Sequence, residues 1–438
     1  MIWGLLPLAG LAAVLVALAR AKDPPPVFGR YRVRGPRFWI KYVFMRVVLW
    51  IRKRAARPVL DAEGRPVHPL VDKERLQVLG EHPLAFDAIF FMACDLEGAY
   101  VIAGSERRHH GVVNSPIYIR IPGLGLLMHT KLPDTCLFGA DGVVYGAEGI
   151  RLQPVEPLKT WCVEFDGVMK LQEDPSKQFN VKLRGVWTAG WPAFNYDTDT
   201  NPHTMAKTVA VEEWSRDYFN RLKSAHQSHY EQMGHLRGSV QVDDVVHPLD
   251  LMSIRDHSTG PVRDFDLLYR YAFYMMFFED GSMSSIIVVN QPCSVSRFES
   301  GYICLPGGEV HSMEWCDLEL WQHGEDGEPP VDHAFRFKAG GTEYHVKAKG
   351  DGMAYHYVGW QWEAKIMEMF SSYEMNGVRG RGLSEFHYHN SSGRPAERAV
   401  NDPDWFAGVV KEAYAKPSPY SLRDFHRRPY HDWSKPAN

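Results

Sequence analysis

The sequence concentrates its reactive side chains in one run, Arg255-Asp256-His257-Ser258-Thr259-Gly260-Pro261-Val262-Arg263-Asp264, set among apolar segments. A carboxyl group beside an imidazole offers general acid–base chemistry, and Arg255 and Asp264 could form ion pairs. The same residue types in a tight loop also cap backbone amides, so a polar network tying two parts of the chain together accounts for them too. Asp256, His257 and Arg255 are therefore the candidate catalytic residues. Gln232, His235, Ser258, Arg263, Asp264 and Glu385 are the candidates for lining a ligand site or a junction between two halves.

Other groupings point to less. Glu385, His387 and His389 would share one face of a strand, with Phe386 and Tyr388 on the other. These are metal-ligating types, but the outer two lie roughly 13 Å apart along a strand, so no metal is expected and a solvent-facing polar strand face is. In Glu231-Gln232-Met233-Gly234-His235-Leu236-Arg237-Gly238 the glycines look like turn or bulge positions ahead of a strand at Ser239–Val242. No Lys-Ser/Thr follows, so no phosphate cradle forms there. Gly377 to Gly382 suits a close-packed strand entry. Nucleotide and hydrolase signatures are absent and no cofactor is expected. Six scattered cysteines without a C-x-x-C pair are expected to be buried small hydrophobes.

The elements that must position these residues are short and alternating. Phe335 and Phe337 alternate with Arg336 and Lys338, Gly340-Gly341 turns the chain, and Tyr344, Val346 and Ala348 alternate in return. That predicts a hairpin over Ala334–Lys349. Further strands are predicted at Ala99–Ala103, Ile117–Ile121, Trp161–Asp166, Ser284–Asn290, Tyr302–Leu305 and Cys316–Trp321. Many short antiparallel strands indicate an all-β chain of sandwiches or barrels. One helix is predicted over His203–Gln232, where Val211, Trp214, Tyr218 and Leu222 make an apolar face. It divides the body into halves at 60–225 and 226–398, followed by a surface-wrapping tail at 399–438.

Among 438 residues, 45% hydrophobic and 23% charged, wholesale disorder is excluded, and a net charge of −4 excludes a generic nucleic-acid binder. The charge is uneven. Residues 20–57 hold twelve Lys and Arg against the single acid Asp23, directly behind an uncharged run from Ile2 to Ala19. That run is long enough to span a bilayer, and the positive charge that follows places the body in the cytosol on an internal membrane. The alternative is a cleaved signal peptide, with Ala19-Arg20-Ala21 as its cleavage site and a lumenal or secreted body. Residues 1–22 are thus expected to be an anchor and 23–59 a basic juxtamembrane segment. Within the latter, Trp39, Lys41, Trp50, Arg52, Lys53 and Arg54 suit a membrane surface.

Phe90-Phe91, Asp95-Leu96-Glu97-Gly98, Trp161, Phe165-Asp166-Gly167, Trp214-Ser215, His229-Tyr230-Glu231-Gln232, Arg255-Asp256-His257-Ser258 and Asn376 to Glu385 follow one another in a familiar order. Across roughly 75–395 the chain resembles the tandem lipocalin-like superfamily of carotenoid 1,2-hydratases, AttH-type proteins and ceramide-carrying survival factors. It is especially similar to the front region of animal phosphoenolpyruvate-synthase-like proteins. Where the family pattern has an aromatic residue, usually Trp, this chain has Thr259. The resemblance implies two calycin-type antiparallel barrels side by side, with an apolar cavity in or between them. In the hydratase branch an acidic residue protonates an alkene; Asp256 matches it, with His257 and Arg255 expected to orient it. In the carrier branch the same architecture binds lipid. The leading expectation is a membrane-anchored carrier of a hydrophobic ligand. A lipid or isoprenoid hydratase or isomerase is the first alternative and a protein scaffold the second. The expected partners are membrane lipid and a hydrophobic small molecule, not nucleic acid; protein partners are left open.

Overall fold

The computed structural model describes residues 20–55, 68–224 and 226–415. The anchor expected at Ile2–Ala19 lies outside them, as does the tail beyond 415. Among the described residues no helix is long and apolar enough to cross a membrane.

The chain is mostly β, in two antiparallel sheets. The front sheet contains β1 (Phe86–Cys94), β2 (Tyr100–Arg107), β3 (Val113–Asn114), β4 (Ile117–Ile121), β5 (Gly125–His129), β6 (Cys136–Leu137), β7 (Ile150–Glu156), β8 (Thr160–Leu171), β9 (Gln178–Ala189), β10 (Phe194–Asn195), β11 (Ser228–Val242) and β12 (Val245–Gly260). The rear sheet contains β13 (Arg270–Phe278), β14 (Met283–Gln291), β15 (Val295–Cys304), β16 (Val310–Cys316), β17 (Asp332–Ala339), β18 (Thr342–Val358), β19 (Ala364–Met375) and β20 (Val378–His389). In the rear sheet each strand pairs with the next, and β20 returns to β13 to close a barrel. In the front sheet the path β1-β12-β11-β9-β8-β5-β4-β2 also returns to its start, because β2 pairs with β1.

Side-chain alternation explains the layers. On β9, Val181, Leu183 and Trp187 are buried between exposed Lys182, Arg184 and Val186, so one face meets the core and the other meets water. β1 and β13 are buried on both faces and read as nearly unbroken apolar runs. One face of each lines its own sheet's interior. The other joins a third cluster between the sheets, built from Met92, Met233, Ile254, Phe273, Met275 and Phe277, among others. Each fully buried side chain of this size contributes about 1.5–3 kcal/mol, so the sheets are held together firmly.

The boundary between halves is not at 225/226. β11 and β12 complete the front sheet, and the chain changes sheets between Gly260 and Arg270. The single helix expected at His203–Gln232 is also broken up. Among the described residues this region forms α2 (Tyr196–Asp199), α3 (Pro202–Val211) and α4 (Arg216–Ser224), followed by β11; α1 (Phe38–Ala55) precedes the sheets and α5 (Asp404–Ala415) follows them. Glu212 ends α3 in an extended conformation because its carboxylate accepts from the Ser296 amide at 2.7 Å and the Ser296 hydroxyl at 2.6 Å. Ser215 then restarts the helix by accepting from the Tyr218 amide at 3.0 Å. The helices interrupt the front sheet rather than divide the halves.

Three smaller expectations change. Gly234 and Gly238 sit inside β11, not in a turn before it; a Cβ at Gly234 would lie 2.2 Å from the Thr188 carbonyl oxygen, so the neighbouring strand excludes one. The strand expected at Cys316–Trp321 ends at Cys316, and Leu320–Gln322 form a 3-10 turn. Five cysteines are buried, whereas Cys162 is half-buried.

α1 lies on α3. Lys41 Nζ donates to the Glu212 carbonyl at 2.6 Å, and the Tyr42 hydroxyl meets His203 Nδ1 at 2.6 Å. Lys41 is therefore turned into the body, not toward a membrane surface.

Candidate functional site

β12 divides the reactive run by strand alternation. The run is not a loop: Arg255 to Gly260 finish β12, and their side chains point alternately to opposite faces. Arg255 and His257 point into the front sheet's interior, while Asp256 and Ser258 point toward the rear sheet. Asp256 and His257 are neighbours in sequence but not in space, so neither His257 nor Arg255 orients Asp256 by contact.

The inward pair belongs to a buried polar network. Arg255 forms an ion pair with Glu74 at 2.8 Å and donates to Gln232 Oε1 at 2.7 Å. Its guanidinium lies 5.3 Å from the Trp161 ring centroid and 5.0 Å from that of Trp187, in cation–π contact with both. Glu74 also accepts from Trp161 Nε1 at 2.9 Å, from the Leu158 amide at 2.9 Å and from the Tyr230 hydroxyl. His257 sits between Asp87, at 2.7 Å, and Tyr230, at 2.8 Å. Burial pushes the Glu74 and Asp87 carboxyls up, but Arg255 beside the first and His257 beside the second outweigh it, and both end below the usual carboxylate range. This is an interior of paired charges that ties β11 and β12 to the chain before β1, with Arg255 Nε and Trp187 Nε1 left without hydrogen-bond partners among the described residues. Gln232 belongs to it, donating to the carbonyls of Leu158 and Trp191.

The outward residues form a different site between the sheets. Asp256 stands directly opposite Glu231 on β11, and Ser258 opposite His229. His229 contacts Ser258 Oγ at 2.6 Å and Glu231 Oε1 at 3.2 Å. Glu231 also accepts from the hydroxyls of Tyr196 and Ser285, each at 2.5 Å. The rear sheet brings two more carboxyl groups. Glu385 on β20 accepts from the Tyr271 hydroxyl at 2.5 Å and stands opposite Glu368 on β19. Both Glu368 oxygens are sealed from solvent and have no hydrogen-bond partner among the described residues. His387 is fully buried and stacks on Tyr271, ring centroids 5.1 Å apart. Glu385 and His387 are thus buried between the sheets, not solvent-facing as expected. Phe90, Met252, Phe273 and Ile287 supply apolar walls.

The electrostatics follow from this crowding. Burial pushes the Asp256 carboxyl up to about 6, and the charge of Glu231 adds to it, against His229, Arg263 and His257. Burial raises Glu368 well above its usual value, helped by Glu385; burial raises Glu385 as well, helped by Asp256. Burial opposes charge on His229, but Glu231 and Asp256 outweigh it and hold its pKa above the usual value. Asp256 and His229 are desolvated yet only half-buried, and the His229 side chain is 24% exposed.

Of the residues singled out from sequence, Asp256, Ser258 and Glu385 meet here. Arg263 stands at the edge, paired with Glu106 at 2.8 Å and stacked over Phe86. Arg255, His257 and Gln232 lie inside the front sheet. His235 stacks on Trp191, and Asp264 caps the 3-10 turn at Phe265–Leu267. Sequence reasoning did not select Glu231, Glu368, His229, Tyr196 or Tyr271. A signal existed for one of them: Glu368 interrupts the apolar run Ile366-Met367-Glu368-Met369-Phe370, where a charge must be paired or used.

Comparison with known proteins places the chain in the family of unknown function DUF8627, which matches residues 8–388 and to which the chain belongs. No curated protein matches it. Among solved structures it is similar to a protein of Nitrosomonas europaea described as AttH, at 9% identity and a TM-score of 0.45, over 76% of this chain and 100% of that one. It is similar to kievitone hydratase of Nectria haematococca at 11% identity and a TM-score of 0.43, over 74% and 93%. CghA with Sch210972 matches at 9% identity and a TM-score of 0.40, over 70% and 89%.

Proposed function

We propose that this member of the DUF8627 family is an acid–base enzyme acting on an apolar substrate in the cleft between its two sheets, a hydratase or isomerase of a lipid or isoprenoid alkene. The sheets serve as two lipocalin-like barrels in tandem, the architecture the sequence resemblance implies. The supporting observation is that Glu385 on the opposite sheet lies close enough to Asp256 to feel its charge and stands opposite Glu368, in apolar aromatic surroundings that push all three carboxyl groups toward the protonated form. A neutral carboxylic acid near pH 6 is a competent proton donor.

In the proposed reaction the Asp256 proton passes to one alkene carbon, and the π electrons form the new C–H bond. Positive charge develops on the other carbon. Glu231 faces that charge, held by the hydroxyls of Tyr196 and Ser285 and by His229. Water then adds to the cation, or a neighbouring C–H proton is lost, giving hydration or isomerisation. In either case the released proton returns to the Asp256 carboxylate. The barrel interiors hold large buried side chains, Trp161, Trp187 and Arg255 in front and Tyr274 and Phe337 behind, and the ligand is assigned to the space beside Asp256 and His229, which are only half-buried.

The test offers the full-length protein a panel of isoprenoid and polyene lipids in deuterated water and reads deuterium incorporation by mass spectrometry. Incorporation that Asp256→Asn abolishes supports the enzyme. Tight lipid binding, equal in wild type and Asp256→Asn and without incorporation in either, would overturn it in favour of a carrier.

A further inference from the structure

α1 has two faces, and the one turned away from the body is as apolar as the one turned toward it. Phe38, Lys41 and Tyr42 meet the body around α3. On the outside, Trp39, Ile40, Val43, Val47, Trp50 and Ile51 are between 50% and 62% exposed. A helix that is apolar all round is normally buried all round. No acidic residue interrupts α1, and its last turn carries Arg52, Lys53 and Arg54, with the Arg54 guanidinium 4.2 Å from the Trp50 ring centroid.

We infer that α1 is a membrane-docking helix whose outer face lies in the interface of a bilayer containing anionic lipid. The charge decides the occupant. The α1 helix of a second copy would offer that basic turn no acidic side chain in either orientation, since α1 has none. An anionic bilayer offers apolar depth to Val43, Val47 and Ile51, a headgroup layer to Trp39 and Trp50, and phosphate to Arg52, Lys53 and Arg54. Its extended dimension suits a helix lying flat, and the docking of α1 on α3 fixes the tilt of the body above it. This inference stands on α1 and does not depend on the chemistry of the cleft.

Hydroxyl-radical footprinting of the full-length protein tests it, with phosphatidylcholine vesicles prepared with and without phosphatidylserine. Oxidation of Trp39 and Trp50 is expected to fall severalfold on the anionic vesicles, while Trp405, 44% exposed on α5, stays unchanged. The paired change Val43→Glu and Val47→Glu alters only exposed positions and should restore oxidation of both tryptophans. A protein held to vesicles through some other segment would leave Trp39 and Trp50 as reactive as Trp405, and that result would overturn the inference. Protection that needs no vesicles and grows with protein concentration would assign the face to a second copy and overturn it equally.

Discussion

Asn in place of Asp256 keeps the shape of the side chain and removes the proton it could give. Turnover is expected to fall about 10²–10⁴-fold, the usual reach of a general acid. Under the same reading, activity falls as pH rises through about 6, because the acid must start protonated; a pH–rate profile checks this. Glu368 gives a stability test with a definite sign. Its folded-state pKa lies above its unfolded value, so the folded protein holds a proton that the unfolded chain has lost. Wild-type stability should therefore decline as pH rises from the unfolded value near 4.3 toward neutrality, and Glu368→Gln should flatten that decline. Melting temperatures of the two proteins across this range measure it. Arg255→Met leaves Glu74 buried without its partner and should cost about 3–5 kcal/mol in chemical denaturation, a loss of folding rather than of chemistry.

Strands decide which of these residues can act together. Arg255-Asp256-His257-Ser258 shows the limit of reading them in a line. The residue types were legible, but period-two alternation sends the neighbours of Asp256 to the other face. Phe335 and Phe337 were easy to place because Arg336 and Lys338 mark a solvent face between them. β1 and β13 have no such face, since each lies between two cores, and their continuous apolar runs hid where they pair. The pairing of Glu368 with Glu385 depends on the register of β19 and β20, which neither segment encodes alone. Close strand approach is itself testable. Gly234→Ala would force a methyl group to within 2.2 Å of the Thr188 oxygen and 2.7 Å of the Trp187 ring, and should destabilise the protein by about 1–3 kcal/mol in denaturant unfolding.

At the scale of the molecule, the carboxyl cluster is shared property. Asp256 and Glu231 come from one sheet and Glu385 and Glu368 from the other, so the cluster exists only while the sheets stay docked. The expected division at 225 would have removed β11 and β12 from the front sheet, leaving β1 and β9 with open edges. A fragment of residues 68–225 is therefore expected not to fold, whereas one of residues 68–268 should show a cooperative transition by circular dichroism. Closure of the ring also orders events during synthesis. β1 is the first strand of the front sheet to leave the ribosome, and its second neighbour, β12, is the last, with Phe86 waiting for Gly260. In the interval the apolar edge of β1 has only β2 beside it and is open to wrong partners. The strand that ends this exposure is the one that carries Asp256, so the proposed proton donor arrives with the stave that seals the ring, and a nascent chain that has not yet closed cannot display it.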